Sequence, residues 1–95
     1  MAVMDVHNDS AEWLVVWLEP LAHDYWLRRG EGIRIRTDYT GDELAFSVST
    51  HATDADRAAG VENLVVYVEN CDFHAEVTDQ DGNVLELAHQ RPEGH

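Results

Sequence analysis

Apolar side chains alternate with polar or small ones along two stretches of the chain, 33–38 and 43–50, as they do in strands that bury one face. The residues between them, 38–42, are typical of turns, so the pattern predicts that the two strands form an antiparallel hairpin. Farther along, segment 64–68 is apolar on both faces, which predicts a central strand of a sheet.

A second hairpin is predicted around Gly82, and the pattern on either side favours one register. A two-residue turn at Asp81 and Gly82 would place Glu86 opposite Val77, among apolar side chains. A three-residue loop with Gly82 in the left-handed conformation pairs Val77 with Leu85 instead. Because register is set by the apolar face, we predict the three-residue loop.

Segment 8–30 has features of both a helix and strands. Asp9 with Glu12 resembles a capping box, and leucines follow at helical spacing. Segment 13–18, however, is rich in β-branched and aromatic residues, and Pro20 would break a helix after about two turns. Strands are therefore the favoured interpretation, with a helix as the alternative.

This interpretation predicts a hairpin of strands 3–7 and 12–18 and a further strand at 24–27. The whole chain then has about seven or eight short strands at spacings typical of sandwiches and barrels. We predict an all-β fold, a small antiparallel β-sandwich or partly open barrel. A longer loop near 50–60 would hold one helical turn and be the most mobile part.

The length of 95 residues allows one domain, which we assign to 1–90, and the polar residues 91–95 are expected to form a disordered tail. Cys71 is the single cysteine, so no disulfide within the chain is possible. The first residues lack the basic and apolar regions of a signal peptide, and no apolar run is long enough for a membrane span. A cytoplasmic location is expected.

Charge narrows the classes of partner. The chain carries 6 Lys+Arg and 19 Asp+Glu, a formal net charge of −13, and all six basic residues are arginines. A nucleic-acid partner is excluded, because phosphate binding needs clustered cations, and anionic membranes are disfavoured for the same reason. A basic protein partner is favoured, because opposite charge accelerates association.

The predicted C-terminal register also defines candidate contact residues. It pairs Ala75 with Leu87 and sets Glu76 opposite Glu86, with His74 on the same face as Glu76. Opposed carboxylates repel unless solvent screens them or a cation lies between them, so Glu76 and Glu86 are candidates for binding a basic partner. A divalent metal held by His74, Glu76 and Glu86 is one alternative, and a solvated strand face that binds nothing is the other.

Known metal motifs do not support that alternative further. The chain has six histidines but no His-x-His, His-Glu-x-x-His or Cys-x-x-Cys spacing. The segment from Asp79 to Asn83 matches the start of an EF-hand loop, but Gln90 stands where the twelfth position requires glutamate. We interpret this segment as a hairpin turn and predict no cofactor.

Aromatic residues supply the other candidates. If segment 12–18 is a strand, Trp13 and Trp17 share the face opposite Leu14, Val16 and Leu18. That face is either a second buried layer or an open patch of large rings, and an open patch would mark a binding surface. Trp13 and Trp17 are therefore added to the candidate partner-binding residues.

Two functions remain. The preferred one is a non-catalytic binding or accessory protein that presents acidic and aromatic surface to a basic protein. The alternative is a cavity that binds a small molecule or metal and performs acid–base chemistry, for which His23 beside Asp24 is a candidate general base. A homodimer is compatible with either function.

Overall fold

A computed structural model describes residues 1–70 and 74–93 and shows two open β-sheets packed on each other. The predicted all-β fold is confirmed. The described chain forms seven strands and one short helix: β1 (Ala2–His7), β2 (Trp13–Glu19), β3 (His23–Arg28), β4 (Gly32–Thr37), β5 (Phe46–His51), α1 (Asp54–Ala58), β6 (Val61–Val68) and β7 (Glu76–Asp79).

The strands are divided between a three-stranded sheet, in the order β1-β4-β7, and a four-stranded sheet, in the order β3-β2-β6-β5. The prediction that 64–68 is a central strand is confirmed, because β6 lies between β2 and β5. Strands rather than a helix cover segment 8–30, as favoured. The expectation of a wholly antiparallel fold is wrong at one pair, since β2 and β6 run parallel.

The predicted hairpin of 3–7 with 12–18 is wrong. β1 pairs with β4, while β2 pairs with β3 and β6 in the other sheet. The side chain of Asn8 explains the crossing, since its amide donates hydrogen bonds to the carbonyls of Ala11 at 3.1 Å and Leu27 at 2.9 Å. The backbone N–H of Ala11 donates to Asn8 Oδ1 at 3.0 Å in return. This buried amide turns the chain from one sheet to the other instead of back on itself.

The predicted hairpin of 33–38 with 43–50 is also wrong. β4 pairs with β1 and β7, whereas β5 pairs with β6. The start of β5 is held beside the end of β6 by Glu69, whose backbone N–H donates to the carbonyl of Ala45 at 2.8 Å, and by the side-chain amide of Asn70, which donates to the carbonyl of Leu44 at 2.6 Å. The alternating patterns identified both strands but assigned them the wrong neighbours. The predicted buried face of the second strand is also wrong, since Leu44 and Val48 are exposed and only Phe46 of the three packs against the core.

The main core lies between the two sheets and takes alternate residues from each. β2 contributes Val16 and Leu18 from one of its faces, as its alternation predicts. Each fully buried aliphatic side chain stabilises the fold by about 1.5–3 kcal/mol relative to an exposed one. The buried members of this core are Val6, Val16, Leu18, Tyr25, Leu27, Ile33, Ile35, Val66, Val68 and Val77.

The register predicted around Gly82 is confirmed. The backbone N–H of Leu85 donates to the carbonyl of Val77 at 2.8 Å, and Gly82 has a φ of +87°. The segment that resembled an EF-hand loop is a turn, in which Asp79 Oδ1 accepts hydrogen bonds from the backbone and side chain of Asn83. These bonds satisfy the carboxylate within the turn.

Beyond Leu85 the second arm leaves the hairpin, so the predicted pairing of Ala75 with Leu87 does not form. The backbone N–H of Ala88 instead donates to the carbonyl of Asp24 at 2.7 Å, and His89 bridges to Tyr25 of β3. We call residues 88–91 the C-terminal strap, because they run along the edge of β3. Cys71 lies outside the described residues.

The predicted helical turn in 50–60 is α1. Thr53 caps it, since its side chain accepts a hydrogen bond from the backbone N–H of Asp56 at 3.0 Å while Asp56 Oδ2 accepts one from the backbone N–H of Thr53 at 3.1 Å. None of the helical structure in the described part of the chain has the length and apolarity that a membrane crossing requires.

Candidate functional site

The three tryptophans of the chain lie on the outer face of the four-stranded sheet. Because side chains alternate along β2, Trp13, Val15 and Trp17 point away from the main core. Val15 and Trp26 are buried in a second, smaller apolar cluster, against which Trp13 and Trp17 pack half-buried. β2 is thus apolar on both faces, because one face packs in the main core and the other in this second cluster.

A cleft of about 460 Å³ opens in this outer face, and we call it the tryptophan cleft. On one side of the cleft, α1 contacts β6 and supplies lining residues. On the other side, the C-terminal strap lies beside β3 and supplies Arg91. β2 runs between them. The lining residues are Trp17, Asp24, Trp26, Ala55, Asp56, Ala59, Val61, Asn63 and Arg91.

Trp17 is held in the cleft by a chain of hydrogen bonds that reaches the helix. Its indole N–H donates to Asn63 Oδ1 at 3.0 Å, and the amide of Asn63 donates to Asp56 Oδ2 at 3.2 Å. The backbone hydrogen bond from Thr53 is the main reason that the pKa of Asp56 lies below its ordinary value. Asp56 is therefore an anion at neutral pH and lines the cleft as a carboxylate.

Asp24 is the second carboxylate of the cleft and is almost fully buried, with 2 % of its side chain exposed. Its Oδ2 accepts hydrogen bonds from Trp26 Nε1 and Arg91 Nε, each at 2.8 Å, and its Oδ1 pairs with Arg91 Nη2. The Arg91 guanidinium is the main cause that lowers the pKa of Asp24, while burial acts in the opposite direction. The buried charge is thus paired on both oxygens.

Arg91 reaches Asp24 because the C-terminal strap is bound along β3. The backbone N–H of Trp26 donates to the carbonyl of His89 at 2.9 Å, and Gln90 Nε2 donates to the carbonyl of Trp26 at 2.9 Å. The sequence predicted that Arg91 belongs to a disordered tail of 91–95. In the structure, its guanidinium is bound to the buried carboxylate of Asp24. Residues 94 and 95 lie outside the described chain.

Trp13 lies at one end of the same face and is used for internal packing. Its ring meets Trp26 edge to face, with centroids 5.7 Å apart. The guanidinium carbon of Arg28 lies 4.7 Å from the centroid of the Trp13 ring. Of the two tryptophans predicted to bind a partner, Trp17 lines the cleft and Trp13 supports Trp26 beside it.

The predicted glutamates lie elsewhere. Glu76 is exposed at the start of β7, on the outer side of the three-stranded sheet, where its cross-strand neighbour is Arg36 of β4. Glu86 and His74 are exposed as well. Glu76 and Trp17 therefore belong to opposite outer faces of the sandwich, so the predicted partner-binding residues do not form one surface.

No metal centre is found in the part of the chain that the structure describes. Across residues 1–70 and 74–93, which include His74, Glu76 and Glu86, no group of three or more His, Cys, Asp or Glu side chains is arranged to hold a metal ion. The candidate general base does not form either. His23 and Asp24 are consecutive in β3 and face opposite sides of the sheet, and Asp24 is engaged by Arg91 and Trp26.

A second cleft, of about 330 Å³, lies on the outer face of the three-stranded sheet. Two arginines line it, but Arg34 is already bound by Asp5, whose oxygens accept its guanidinium N–H groups at 2.7 and 3.0 Å. This exposed pair resembles the Asp24–Arg91 pair in geometry but not in burial, since 63 % of the Asp5 side chain is accessible to solvent. It provides a matched comparison for the buried pair.

The tryptophan cleft combines an apolar aromatic floor with two carboxylates, one amide and the Arg91 guanidinium, which is paired with Asp24. Among the described residues, 1–70 and 74–93, those that line the cleft include no serine, cysteine, histidine or lysine, so the side chains present favour binding over nucleophilic chemistry. Indole faces and carboxylates both attract cations. No protein-family model, curated protein or solved structure matches this chain.

Proposed function

We propose that this protein is a small acidic binding module, without catalytic activity, that takes a basic protein partner at the tryptophan cleft. The observation that carries the proposal is the position of Trp17 and Trp26 beside the carboxylates of Asp24 and Asp56. Indole rings next to carboxylates suit a side chain that is cationic at its tip and apolar along its stem.

Net charge supports the same class of partner. A formal charge of −13 attracts a basic protein over distances of about a Debye length, roughly 8–10 Å near physiological salt. The same charge repels nucleic-acid phosphates and anionic lipids. Binding is therefore expected to weaken as salt is added.

Preorganisation supports the tryptophans as anchors. Trp17 and Trp26 are each fixed by an indole hydrogen bond, to Asn63 and to Asp24. Side chains that are already ordered lose little conformational entropy when a partner binds, and tryptophan is enriched among residues that dominate binding energy. Trp13, on the same face, restrains Trp26 further through an edge-to-face contact.

The proposal is tested with two short tryptophan-free peptides, one rich in arginine and lysine and the other with those residues replaced by glutamate. Tryptophan fluorescence of the protein and calorimetry measure binding at low and high salt. We expect the basic peptide alone to bind, with affinity that falls as salt rises. Equal binding of both peptides, or none at low salt, would contradict the proposal.

A matched pair of variants locates the binding. Ala55 and Ala58 are both exposed on α1, but only Ala55 lines the cleft. Ala55→Arg introduces a cation at the cleft and is expected to weaken binding of the basic peptide by about tenfold. Ala58→Arg adds the same charge outside the cleft, and its effect is expected to stay within about twofold.

A small-molecule ligand is the second candidate function. It is favoured by the volume of the cleft, about 460 Å³, because small-molecule sites commonly span roughly 300–1,000 Å³. A ligand of this kind would bind in a manner that depends little on salt unless it were itself charged. We place either function in the cytoplasm, supported by a single cysteine that has no partner in the chain for a disulfide.

A further inference from the structure

We infer that Asp24 and the tryptophan cleft form a guanidinium-binding site in which Arg91 is the resident ligand, and that an arginine side chain of the partner takes its place. This inference rests on the proposed function and specifies its chemistry. The partner would present arginine rather than lysine, and the C-terminal strap would compete with it.

The two charges of the Asp24–Arg91 pair are buried to different extents. Asp24 belongs to the sheet and is 2 % exposed, whereas the Arg91 side chain is 39 % exposed and comes from a segment outside both sheets. A buried carboxylate requires a cation or hydrogen-bond donors to offset its desolvation. The anion is thus a fixed part of the fold, while the cation is supplied from the surface.

The contact between Asp24 and Arg91 has the shape that a guanidinium requires. Asp24 receives Arg91 through two different nitrogens, Nε on Oδ2 and Nη2 on Oδ1, while Trp26 Nε1 donates to Oδ2 as well. A planar guanidinium matches both oxygens of a carboxylate at once, and an ammonium group does not. The Trp26 indole N–H fixes the carboxylate in the orientation that this match requires.

The C-terminal strap has contacts with β3 that do not involve the Arg91 side chain. Its backbone is joined to β3 by hydrogen bonds from Ala88 N–H to Asp24 O and from Trp26 N–H to His89 O. Gln90 adds a side-chain hydrogen bond to the carbonyl of Trp26. Removal of the Arg91 side chain alone would therefore leave the strap bound and the carboxylate open to another guanidinium.

Open space lies beside the Asp24–Arg91 pair. Arg91 lines a cleft of about 460 Å³ whose apolar part includes Trp17 and Val61. An arriving arginine would have its aliphatic stem against these side chains and its guanidinium at Asp24. The site thus has both the anion that recognises the tip and the room that accepts the stem.

Chemical rescue tests the inference. Arg91→Ala is heated with increasing methylguanidinium, up to about 20 mM, a range that detects millimolar dissociation constants. The wild type and Arg34→Ala serve as controls, because Arg34 forms the similar but exposed pair with Asp5. Methylammonium at equal ionic strength tests the shape requirement.

We expect methylguanidinium to raise the melting temperature of Arg91→Ala in a saturable way, and to raise that of neither control. Methylammonium is expected to have a much smaller effect. Equal shifts in all three proteins, or equal shifts with the two cations, would overturn the inference. If Arg91→Ala does not fold, the NMR resonance of the Trp26 indole N–H in the wild type reports whether methylguanidinium competes for Asp24.

Two basic peptides, one with arginine and one with lysine at every basic position, connect the site to the partner. The arginine peptide is expected to bind Arg91→Ala about tenfold more tightly than the wild type, while the lysine peptide binds both equally. Equal binding of the two peptides to both proteins would overturn the inference of an arginine-specific site but would remain consistent with a basic protein partner. Rescue by methylguanidinium without binding of either peptide would support the guanidinium site but contradict the proposal of a basic protein partner.

Discussion

Trp17 donates its indole N–H to Asn63 Oδ1 at 3.0 Å, across the pair of strands that run parallel in this sheet. Asn63 is itself buried and donates to Asp56 in α1. One amide therefore joins the floor of the tryptophan cleft to the helix beside it. The parallel pairing matters for the site because it brings β6, and with it α1, next to the tryptophans of β2.

Replacement of Asn63 tests this relationship. Asn63→Ala leaves the Trp17 indole N–H without its acceptor, and we expect the free energy of unfolding to fall by about 1–3 kcal/mol. Urea unfolding measures the change, and tryptophan emission reports the environment of the ring. Ser49→Ala removes a polar group from an exposed position on the neighbouring strand β5 and should change stability by less than about 0.5 kcal/mol. Similar effects of the two substitutions would refute the role of Asn63.

Asp24 is expected to make the stability of the protein depend on acidic pH. Because its folded pKa is lowered, mainly by Arg91, its contribution is complete above the unfolded pKa of about 4. The contribution is then lost as the pH falls through the folded pKa. At pH 7, Asp24→Asn should lower the free energy of unfolding by about 1–3 kcal/mol.

The difference between wild type and Asp24→Asn should narrow as the pH is lowered below about 4. Urea unfolding of both proteins from neutral to acidic pH measures this difference. Asp5, Asp56 and Asp79 also have lowered pKa values, owing mainly to hydrogen bonds from Arg34, Thr53 and Asn83, so both proteins should lose stability in acid. A difference that stays constant over the whole range would show that ionisation of Asp24 is not what stabilises the fold.

The contact between the sheets is tested at Leu18. Its side chain is fully buried in the core that both sheets share, so Leu18→Ala should cost about 2–5 kcal/mol of stability through lost burial and the resulting cavity. Leu44→Ala is the matched control, because Leu44 is 62 % exposed, and its effect should be below about 0.5 kcal/mol. Chemical unfolding at neutral pH compares them, and similar losses would be inconsistent with this packing.

The turn after β7 is tested at Gly82. A Cβ at this position would meet no atom within 4 Å, but the φ of +87° is strained for any residue with a side chain. Gly82→Ala is therefore expected to lower stability by about 1–2 kcal/mol through the backbone alone. Gly82→Asn should cost less, because asparagine tolerates the left-handed region better. Equal melting temperatures for alanine and glycine at this position would contradict the assigned conformation.

Local features of the chain were predictable from residue patterns. The alternation of β2 identified Trp13 and Trp17 on one face and Val16 and Leu18 on the other, and the register of Val77 with Leu85 followed from a short turn. These features depend on neighbours a few residues apart. Side-chain periodicity determines which face of a strand is apolar, and a turn determines how its two arms meet.

The neighbours of most strands were not predictable in this way. Alternation predicts a strand but does not identify the strand beside it. The hairpins of 3–7 with 12–18 and of 33–38 with 43–50 were therefore assigned wrongly. The link after β1 crosses between sheets because Asn8 bonds to Leu27, 19 residues away. No local pattern contains that contact.

The candidate site also has features that local patterns predicted and features that depend on long-range contacts. Residue patterns placed Trp13 and Trp17 on one face of a strand, and the composition showed a strongly acidic chain. Together these features predicted an aromatic and anionic surface. No pattern predicted that Asp24 is buried and paired with Arg91, 67 residues farther along the chain. The hydrogen bond between Trp17 and Asn63 was not predicted either. Burial and pairing of charges depend on which segments the folded chain brings together. The amino-acid sequence alone thus established the composition of the strands and their faces, and the packing of the two sheets and the C-terminal strap created the cleft.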